Sequence, residues 1–233
     1  MNVCRSSLVA IAWFITASLR AGSVDPALIG TWYLEQGPKD GRTAIIIWKI
    51  LPEAKLVMSF GAIEKGALST NPERFGVTSP DNPNELFHGH YKIGGQDSFS
   101  TDSTDQPGEW VKWTKIARNA TPKIEECLLA EVMAEPKGEA KGEFNHALVG
   151  IWQASMSDNR SSSETLWHIA ASGQCVRVLV GRQNEAMPFV ADNGQIKLTT
   201  PDGTVNEMKY TLGKDGLEVS DGQQALKFAR CHK

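Results

Sequence analysis

The chain has 233 residues and a formal net charge of −3, with 24 lysine and arginine residues against 27 aspartate and glutamate residues. A mildly acidic protein has no general electrostatic attraction for nucleic acid or anionic lipid, so the composition argues against both as partners. The length allows either one large domain or two small ones.

The N-terminal segment, residues 1–21, has the pattern of a secretory signal peptide. A short basic start containing Arg5 is followed by an apolar run over residues 8–19 and then by small residues. The run is shorter than the roughly 20 apolar residues of an ordinary membrane span. We expect cleavage after Ala21 or Ser23 and a soluble mature protein that is secreted or periplasmic, with no integral membrane segment. The alternative is an uncleaved anchor.

A phrase near the start of the remaining chain is repeated. Ala-Leu-Ile-Gly-Thr-Trp at 27–32 returns as Ala-Leu-Val-Gly-Ile-Trp at 147–152. Further matches follow in the same order, and they are Trp48-Lys-Ile50 with Trp167-His-Ile169, Tyr91-Lys-Ile-Gly94 with Tyr210-Thr-Leu-Gly213, and Lys115-Ile-Ala-Arg118 with Lys227-Phe-Ala-Arg230. Ordered matches predict a tandem duplication of a unit of about 90 residues. We place the first unit at residues 24–119 and the second at residues 145–233.

Within each unit the residue pattern is that of short β-strands. In the second unit, Tyr210 and Leu212 alternate with polar residues before a Gly-Lys-Asp-Gly turn, and Leu217 and Val219 alternate after it. This is a hairpin pattern, and similar short runs separated by glycine and aspartate turns occur throughout both units. The pattern predicts an all-β antiparallel barrel or sandwich for each unit.

The segment between the units, residues 120–144, predicts a helix followed by a flexible linker. Thr121 is placed as the N-cap and Pro122 as the first helical residue. Ile124, Leu128 and Val132 then form an apolar stripe at helical spacing. The charged, glycine-punctuated run that follows indicates the linker. The helix is interpreted as a spacer packed on a barrel, with a partner-binding helix as the alternative.

A Gly-x-Trp sequence opens each unit and an arginine closes it. This combination resembles the lipocalin-like members of the calycin superfamily, in which the first-strand tryptophan plugs the closed end of the barrel and a last-strand arginine lies across its ring. The resemblance implies two tandem small antiparallel lipocalin-like β-barrels joined by the helix and linker. It also implies barrel-closure roles for Gly30, Trp32 and Arg118 in the first unit, and for Gly150, Trp152 and Arg230 in the second.

Three cysteines follow the predicted signal peptide: Cys127, Cys175 and Cys231. An odd number in an oxidising compartment suggests one disulfide and one free or intermolecular thiol. Cys175 and Cys231 both fall in the second unit, which makes them the preferred disulfide pair.

Catalytic and metal-binding patterns are weak. His88 and His90 have the same strand parity and could begin a metal site, but Glu85 has the opposite parity. Serine-hydrolase, zinc-protease and phosphate-loop motifs do not occur in the sequence. The sequence therefore predicts a protein that is not an enzyme and holds no metal or other cofactor.

Two functions remain. The first is a secreted, non-enzymatic binding protein that holds a small apolar ligand in its barrels, with Trp48 and Trp167 as candidate ligand-binding residues. The alternative is an extracellular or envelope module, structural or protein-binding, whose barrels are filled. The barrel interior distinguishes the two, because a carrier needs an empty volume of several hundred cubic ångströms, whereas aromatic side chains packed to the centre favour a scaffold.

Overall fold

The computed structural model describes residues 24–39, 41–79, 85–103, 106–117, 120–122, 124–138, 142–159, 161–214 and 216–231. The predicted signal peptide, residues 1–21, lies outside the described residues, as does Arg118. Part of the predicted linker, residues 139–141, also lies outside them.

Antiparallel β-strands make up most of the described chain, which confirms the predicted all-β class. Those of the first predicted unit are β1 (Gly30–Lys39), β2 (Arg42–Leu51), β3 (Lys55–Thr70), β4 (Arg74–Thr78), β5 (Glu85–Gly95), β6 (Ser98–Ser103) and β7 (Gln106–Lys115). Those of the second are β8 (Gly150–Ser157), β9 (Ser161–Ile169), β10 (Gln174–Gln183), β11 (Met187–Asp192), β12 (Gln195–Thr199), β13 (Val205–Gly213), β14 (Gly216–Ser220) and β15 (Ala225–Arg230). Between β7 and β8 lies helix α1 (Glu126–Met133), and short 3-10 turns, Pro26–Leu28 and His146–Leu148, precede β1 and β8.

The backbone pairings close two rings of strands that share β3. The first ring runs from β1 through β2, β3, β11, β12, β13, β14 and β15, and β15 pairs with β1 again. The second ring runs from β3 to β10 in chain order, and β10 pairs with β3. Since β3 is common to both, the two rings are joined along one continuous strand.

Each ring combines strands of both predicted units. In the first ring, strands β1 to β3 join β11 to β15, and in the second ring, strands β3 to β7 join β8 to β10. Two tandem units would pair the strands of each unit among themselves, and the observed partners differ from that prediction. The physical reason is the length of β3, which has 16 residues. Residues 55–64 of β3 pair with β2 and residues 67–70 with β4. Residues 55–56 pair with β11 and residues 59–67 with β10, so β3 carries the chain from one ring into the other.

The alternation of side chains along the strands produces three apolar clusters. The first ring encloses a cluster around Trp48, and the second ring encloses one around Trp167. A third cluster lies on the opposite faces of β2, β3, β9 and β10, and it contains Ile47 and Val178. The neighbours Ile47 and Trp48 on β2 thus belong to different clusters, as period-two alternation requires.

Helix α1 covers the third cluster. Leu128 and Val132 are fully buried there, as the predicted apolar stripe requires, and Ile124 packs on the same cluster just before the helix. Burying this stripe removes the apolar faces of both rings from water at the place where the rings adjoin. The helix therefore packs its apolar stripe on the third cluster.

The predicted start of the helix is wrong. The helix begins at Glu126 instead of after Thr121, and Glu125 occupies the N-cap position with an extended backbone, ψ 136°. The carboxylate of Glu125 binds the guanidinium of Arg182 on β10 through two contacts of 2.8 and 2.9 Å. This bidentate pair anchors the chain before the first helical turn. At the other end, Nδ1 of His168 lies 2.7 Å from the carbonyl oxygen of Val132.

A buried carboxylate links the three strands where the rings meet. Glu64 on β3 is 4% exposed, and its oxygens lie 2.6 Å from Nε of Arg42 on β2 and 2.5 Å from Nε of Arg177 on β10. The guanidinium of Arg177 also lies over the ring of Phe87, 3.4 Å from its centroid. Glu64 therefore neutralises two cations contributed by neighbouring strands.

We expect the substitution Glu64→Gln to lower the free energy of unfolding by about 2–3 kcal/mol. The amide cannot balance two guanidinium groups, and the Arg177 side chain, only 20% exposed, cannot regain full hydration. Urea-induced unfolding measures the loss. The matched control is Lys65→Met on the next residue of β3, whose ammonium pairs with Glu131 on the surface at 2.8 Å. That exposed pair is worth less than about 1 kcal/mol, and equal losses for the two variants would contradict the prediction.

Candidate functional site

Trp48, a predicted ligand-binding residue, belongs to the apolar cluster inside the first ring. It is 5% exposed, and its ring lies 4.8 Å from that of Phe228, measured between centroids. Phe189 and Leu198, from β11 and β12, belong to the same cluster. The indole therefore packs against protein side chains that come from the opposite wall of the ring.

Trp167, the second predicted ligand-binding residue, lies at the centre of the second ring and is 1% exposed. Four aromatic rings surround it at centroid distances of 5.5 to 6.1 Å, and they belong to Phe75, Phe87, Phe99 and Trp113. Tilted and edge-to-face contacts at such distances are favourable aromatic geometries. The two tryptophans occupy matching positions on β2 and β9, and both point inward.

The first-ring closure consists of Gly30, Trp32 and Arg230. The indole N–H of Trp32 donates to the carbonyl oxygen of Leu28 at 2.7 Å, and the guanidinium of Arg230 lies over the indole ring, 5.1 Å from its centroid. Arg230 also donates to the carbonyl oxygen of Ile29 at 2.7 Å. Gly30 has φ 139°, and a Cβ at this position would lie 3.3 Å from the guanidinium. Glycine thus allows both the positive φ of the backbone and the close approach of the Arg230 guanidinium.

The second-ring closure is built in the same way from different residues. The indole N–H of Trp152 donates to the carbonyl oxygen of Leu148 at 2.6 Å, and the ammonium of Lys115 lies 5.1 Å from the indole centroid. Gly150 has φ 142°, and a Cβ there would lie 2.6 Å from the Lys115 side chain. Arg118, expected as a closure residue, lies outside the described residues.

The expectation that each arginine covers the tryptophan of its own unit is wrong for Arg230. Arg230 covers Trp32 of the first unit because β15 pairs with β1, which places the two residues opposite each other. Lys115 is opposite Trp152 in the pairing of β7 with β8. Lys115 therefore has the position in the second ring that Arg230 has in the first, whereas the sequence match aligned Arg118 with Arg230.

A surface groove of about 1010 Å³ adjoins the first-ring closure. It lies between β1, β2 and β3 on one side and the start of α1 on the other. We call it the helix groove, and its lining includes Gly30, Thr31, Ile47, Lys49, Leu51, Pro52, Val57, Ser59, Ile124, Glu125, Glu126, Arg182, Arg230 and Cys231. Sequence analysis missed it because its two walls come from distant parts of the chain.

The groove combines apolar walls with charges of both signs. Exposed Lys49 and Arg230 stand near the exposed carboxylate of Glu126. Arg182 and Glu125 are paired within it, and the hydrogen bond to Glu125 raises the pKa of Arg182 against the opposing effect of burial. Mixed charge around an apolar surface can bind an amphipathic ligand or a protein segment.

A histidine–carboxylate pair lies at a smaller groove on the second ring. Nδ1 of His90 is 3.0 Å from Asp102, and the backbone N–H of His90, the strongest influence, lowers the pKa of that carboxyl. Exposed Trp110 and Lys92 line the same groove. In the part of the chain that the structure describes, no three His, Cys, Asp or Glu side chains converge as ligands of a metal ion would.

The structure does not support the preferred disulfide pair. Cys175 lies in the cluster inside the second ring, where burial raises the pKa of its thiol to about 11. Cys231 lies at the helix groove of the first ring, where its neighbour is Cys127. The thiols of all three described cysteines are free. The ring wall therefore separates Cys175 from Cys231.

Comparison of the chain with protein-family models, curated proteins and solved structures gives no match. Of the helices that the structure describes, none combines the length and apolar character that a membrane crossing needs.

Proposed function

We propose that the protein is an exported, non-enzymatic structural or protein-interaction module, built from two filled lipocalin-like barrels that correspond to the two rings. Export would use residues 1–21 as a cleaved signal peptide and deliver the protein outside the cell or into the periplasm. The observation that carries this proposal is the burial of Trp48 and Trp167 inside the rings, at 5% and 1% exposure.

The filled interiors weigh against a ligand carried inside a barrel. A carrier of that kind presents apolar side chains to an empty volume of several hundred cubic ångströms. Here aromatic side chains from opposite walls meet at the centre, with Trp48 against Phe228 and Trp167 against Phe99. A ligand could enter only by displacing these contacts, which close packing makes costly.

The helix groove is the surface on which we propose that an interaction occurs. Its walls join an apolar floor around Ile47 and Val57 to exposed charges at Lys49 and Glu126. Protein interfaces commonly combine an apolar centre with a polar rim.

A second candidate function is the binding of a small apolar ligand outside the barrels. The observation that favours it is the volume of the helix groove, about 1010 Å³, which reaches the upper end of ordinary ligand sites, roughly 300–1,000 Å³. In this case the protein remains a secreted binding protein, but its ligand lies against α1 instead of within a ring.

Native mass spectrometry tests the proposal on protein exported by its own host and purified without an unfolding step. We expect the mass of the polypeptide alone, because rings filled by side chains leave no space for a bound small molecule. Extra mass of small-molecule size that disappears on denaturation would overturn the module proposal in favour of a carrier, whereas the extra mass of a second polypeptide would support it.

A matched pair of variants would then locate the binding site of such a ligand. Val57→Trp places an indole in the helix groove, whereas Val205→Trp places the same group on β13, where Val205 is 53% exposed. Loss of the extra mass in the first variant alone would assign the ligand to the groove. If both variants kept the extra mass, the groove would be excluded as the binding site and the ligand would be assigned to a ring interior.

A further inference from the structure

Cys127 and Cys231 come together at one end of the helix groove. Cys127 is the second residue of α1, and Cys231 directly follows β15. The backbone N–H of Cys231 donates to the carbonyl oxygen of Thr31 at 2.9 Å, which fixes the position of the C-terminal segment against β1. Cys231 lines the groove together with Glu126, the residue before Cys127. Cys127 packs on the third cluster, as does Tyr33 of β1, so the two thiols are neighbours at this end of the groove.

We propose that Cys127 and Cys231 form a reversible disulfide that ties the start of α1 to the end of β15. Both side chains are partly exposed, and Cys231 lines the open groove together with Ile124 and Glu126. An oxidant can therefore reach the pair without opening a ring. Cys175, in contrast, is 2% exposed inside the second ring, and it takes no part.

The reaction is a thiol–disulfide exchange with a low-molecular-weight disulfide as the oxidant. The thiolate of Cys231 attacks one sulfur of that disulfide, forms a mixed disulfide and releases one molecule of reduced thiol. The thiolate of Cys127 then attacks the sulfur of Cys231 and releases the second. Two protein thiols are oxidised to one disulfide, the small disulfide is reduced to two thiols, and the protein's two thiol protons end on the released thiols.

The environment of Cys127 favours this order of attack. Burial, followed by the neighbouring thiol of Cys231, raises the pKa of Cys127 well above its usual range. Cys231 lines the open groove, whereas Cys127 packs on the third cluster, so an external disulfide reaches Cys231 first. The raised pKa also leaves Cys127 little of the thiolate that attacks. Once Cys231 carries the mixed disulfide, proximity lets the small thiolate fraction of Cys127 react. The exchange should therefore accelerate as the pH rises.

The disulfide would join the two walls of the groove. Cys127 belongs to the helix that covers the third cluster, and Cys231 extends the strand whose Arg230 covers Trp32. A covalent link at this point restrains the unfolded chain over the long stretch between residues 127 and 231. It therefore also fixes the start of α1 relative to the first-ring closure.

Peptide mapping under non-reducing conditions tests the proposal on the full chain, after incubation with glutathione disulfide at about pH 8.5, where ordinary thiols are half ionised. Trypsin places the cysteines in separate peptides, with Cys4, Cys127, Cys175 and Cys231 in residues 1–5, 124–137, 161–177 and 231–233. We expect the peptide of Cys127 cross-linked to that of Cys231, and Cys175 recovered as a free, alkylated thiol. A cross-link that contains Cys175, or Cys127 recovered free, would overturn the proposal.

Three serine variants separate this pair from other thiol chemistry. In Cys175→Ser the cross-link should form unchanged, whereas in Cys127→Ser the mixed disulfide should accumulate on Cys231. In Cys231→Ser both reactions should stop. Oxidation should also raise the urea midpoint of the unaltered chain and leave that of Cys127→Ser where it was. A glutathione adduct that persists on Cys231 while Cys127 is present would contradict the proposal.

Discussion

Replacement of Trp167 by alanine is expected to lower the free energy of unfolding by about 3–5 kcal/mol. The indole is 1% exposed, and four aromatic rings from β4, β5, β6 and β7 pack against it. Each of these rings is held by its own strand, so none can fill the vacated space without leaving its preferred rotamer. Urea-induced unfolding followed by near-ultraviolet circular dichroism measures the loss and reports on aromatic packing at the same time.

Two variants control for the size of the change and for its chemistry. Trp110→Ala removes an indole that is 39% exposed and covered by Lys92 at 3.9 Å from its centroid, and it should cost less than about 1 kcal/mol. Trp167→Phe keeps a buried ring and removes an indole N–H that satisfies no hydrogen-bond acceptor among the described residues. It should therefore cost only about 1–2 kcal/mol. If Trp167→Ala cost no more than Trp110→Ala, the filled second ring would be contradicted.

Local features of the fold were predictable because they depend on residues that are close in sequence. The spacing of Leu128 and Val132 predicts one buried helix face, and both side chains are fully buried. The Gly-x-Trp segments give the same local structure twice, since the indole N–H of Trp32 and that of Trp152 each donate to the carbonyl four residues earlier. In each Gly-x-Trp segment, a short stretch of chain contains the donor, the acceptor and the glycine that allows the turn.

The strand partners were not predictable in this way. A period-two pattern fixes which face of a strand is buried, but it does not fix the strand's partner. Because the two units are similar in sequence, the matching strand of either unit could pair with a given strand. Gly61 illustrates the difficulty, because a glycine within a strand usually suggests a break or a close backbone approach. Here it is a close approach: β3 continues through Gly61, and a Cβ there would lie 1.9 Å from the carbonyl oxygen of Leu179 on β10. Nothing in the sequence states which of the two meanings applies.

The candidate site was missed for the same reason. Ile124 and Glu126 follow the first unit in the chain, Val57 lies within that unit and Cys231 lies near the C-terminus, yet all line the helix groove. The exchange of strands brings β15 beside β1 and so places Cys231 at this groove. A model of two independent units puts Cys231 with the second unit and makes Cys175 its natural partner. The disulfide prediction therefore failed together with the pairing on which it depended.

The exchanged pairing predicts that the two halves of the chain fold only together. Residues 24–119 and residues 120–233, produced as separate chains, should each lack the near-ultraviolet circular dichroism of the intact protein and should recover it as a 1:1 complex when mixed. In the first half, β1 loses β15, and the middle of β3 loses β10, whose pairing spans Ser59 to Ala67. To close a ring alone, this half would have to bend the 16-residue strand β3 back on itself. Sedimentation of each half and of the mixture measures the association.

The buried ion pair between the halves distinguishes the exchanged complex from mere aggregation. Glu64 in the first half contacts Arg177 in the second, so Glu64→Gln should weaken the complex roughly 30- to 140-fold, in line with the loss expected for the intact chain. Arg177→Met in the other half should weaken it to a similar degree, and combining the two should cost less than the sum, because each removes the same contact. Lys65→Met in the first half is the control and should leave the affinity nearly unchanged, since its pair with Glu131 is exposed. The exchanged strand pairing would be contradicted if each half folded as a stable monomer and the two did not associate. In that case the pairing of β3 with β10 would have no role in holding the rings together.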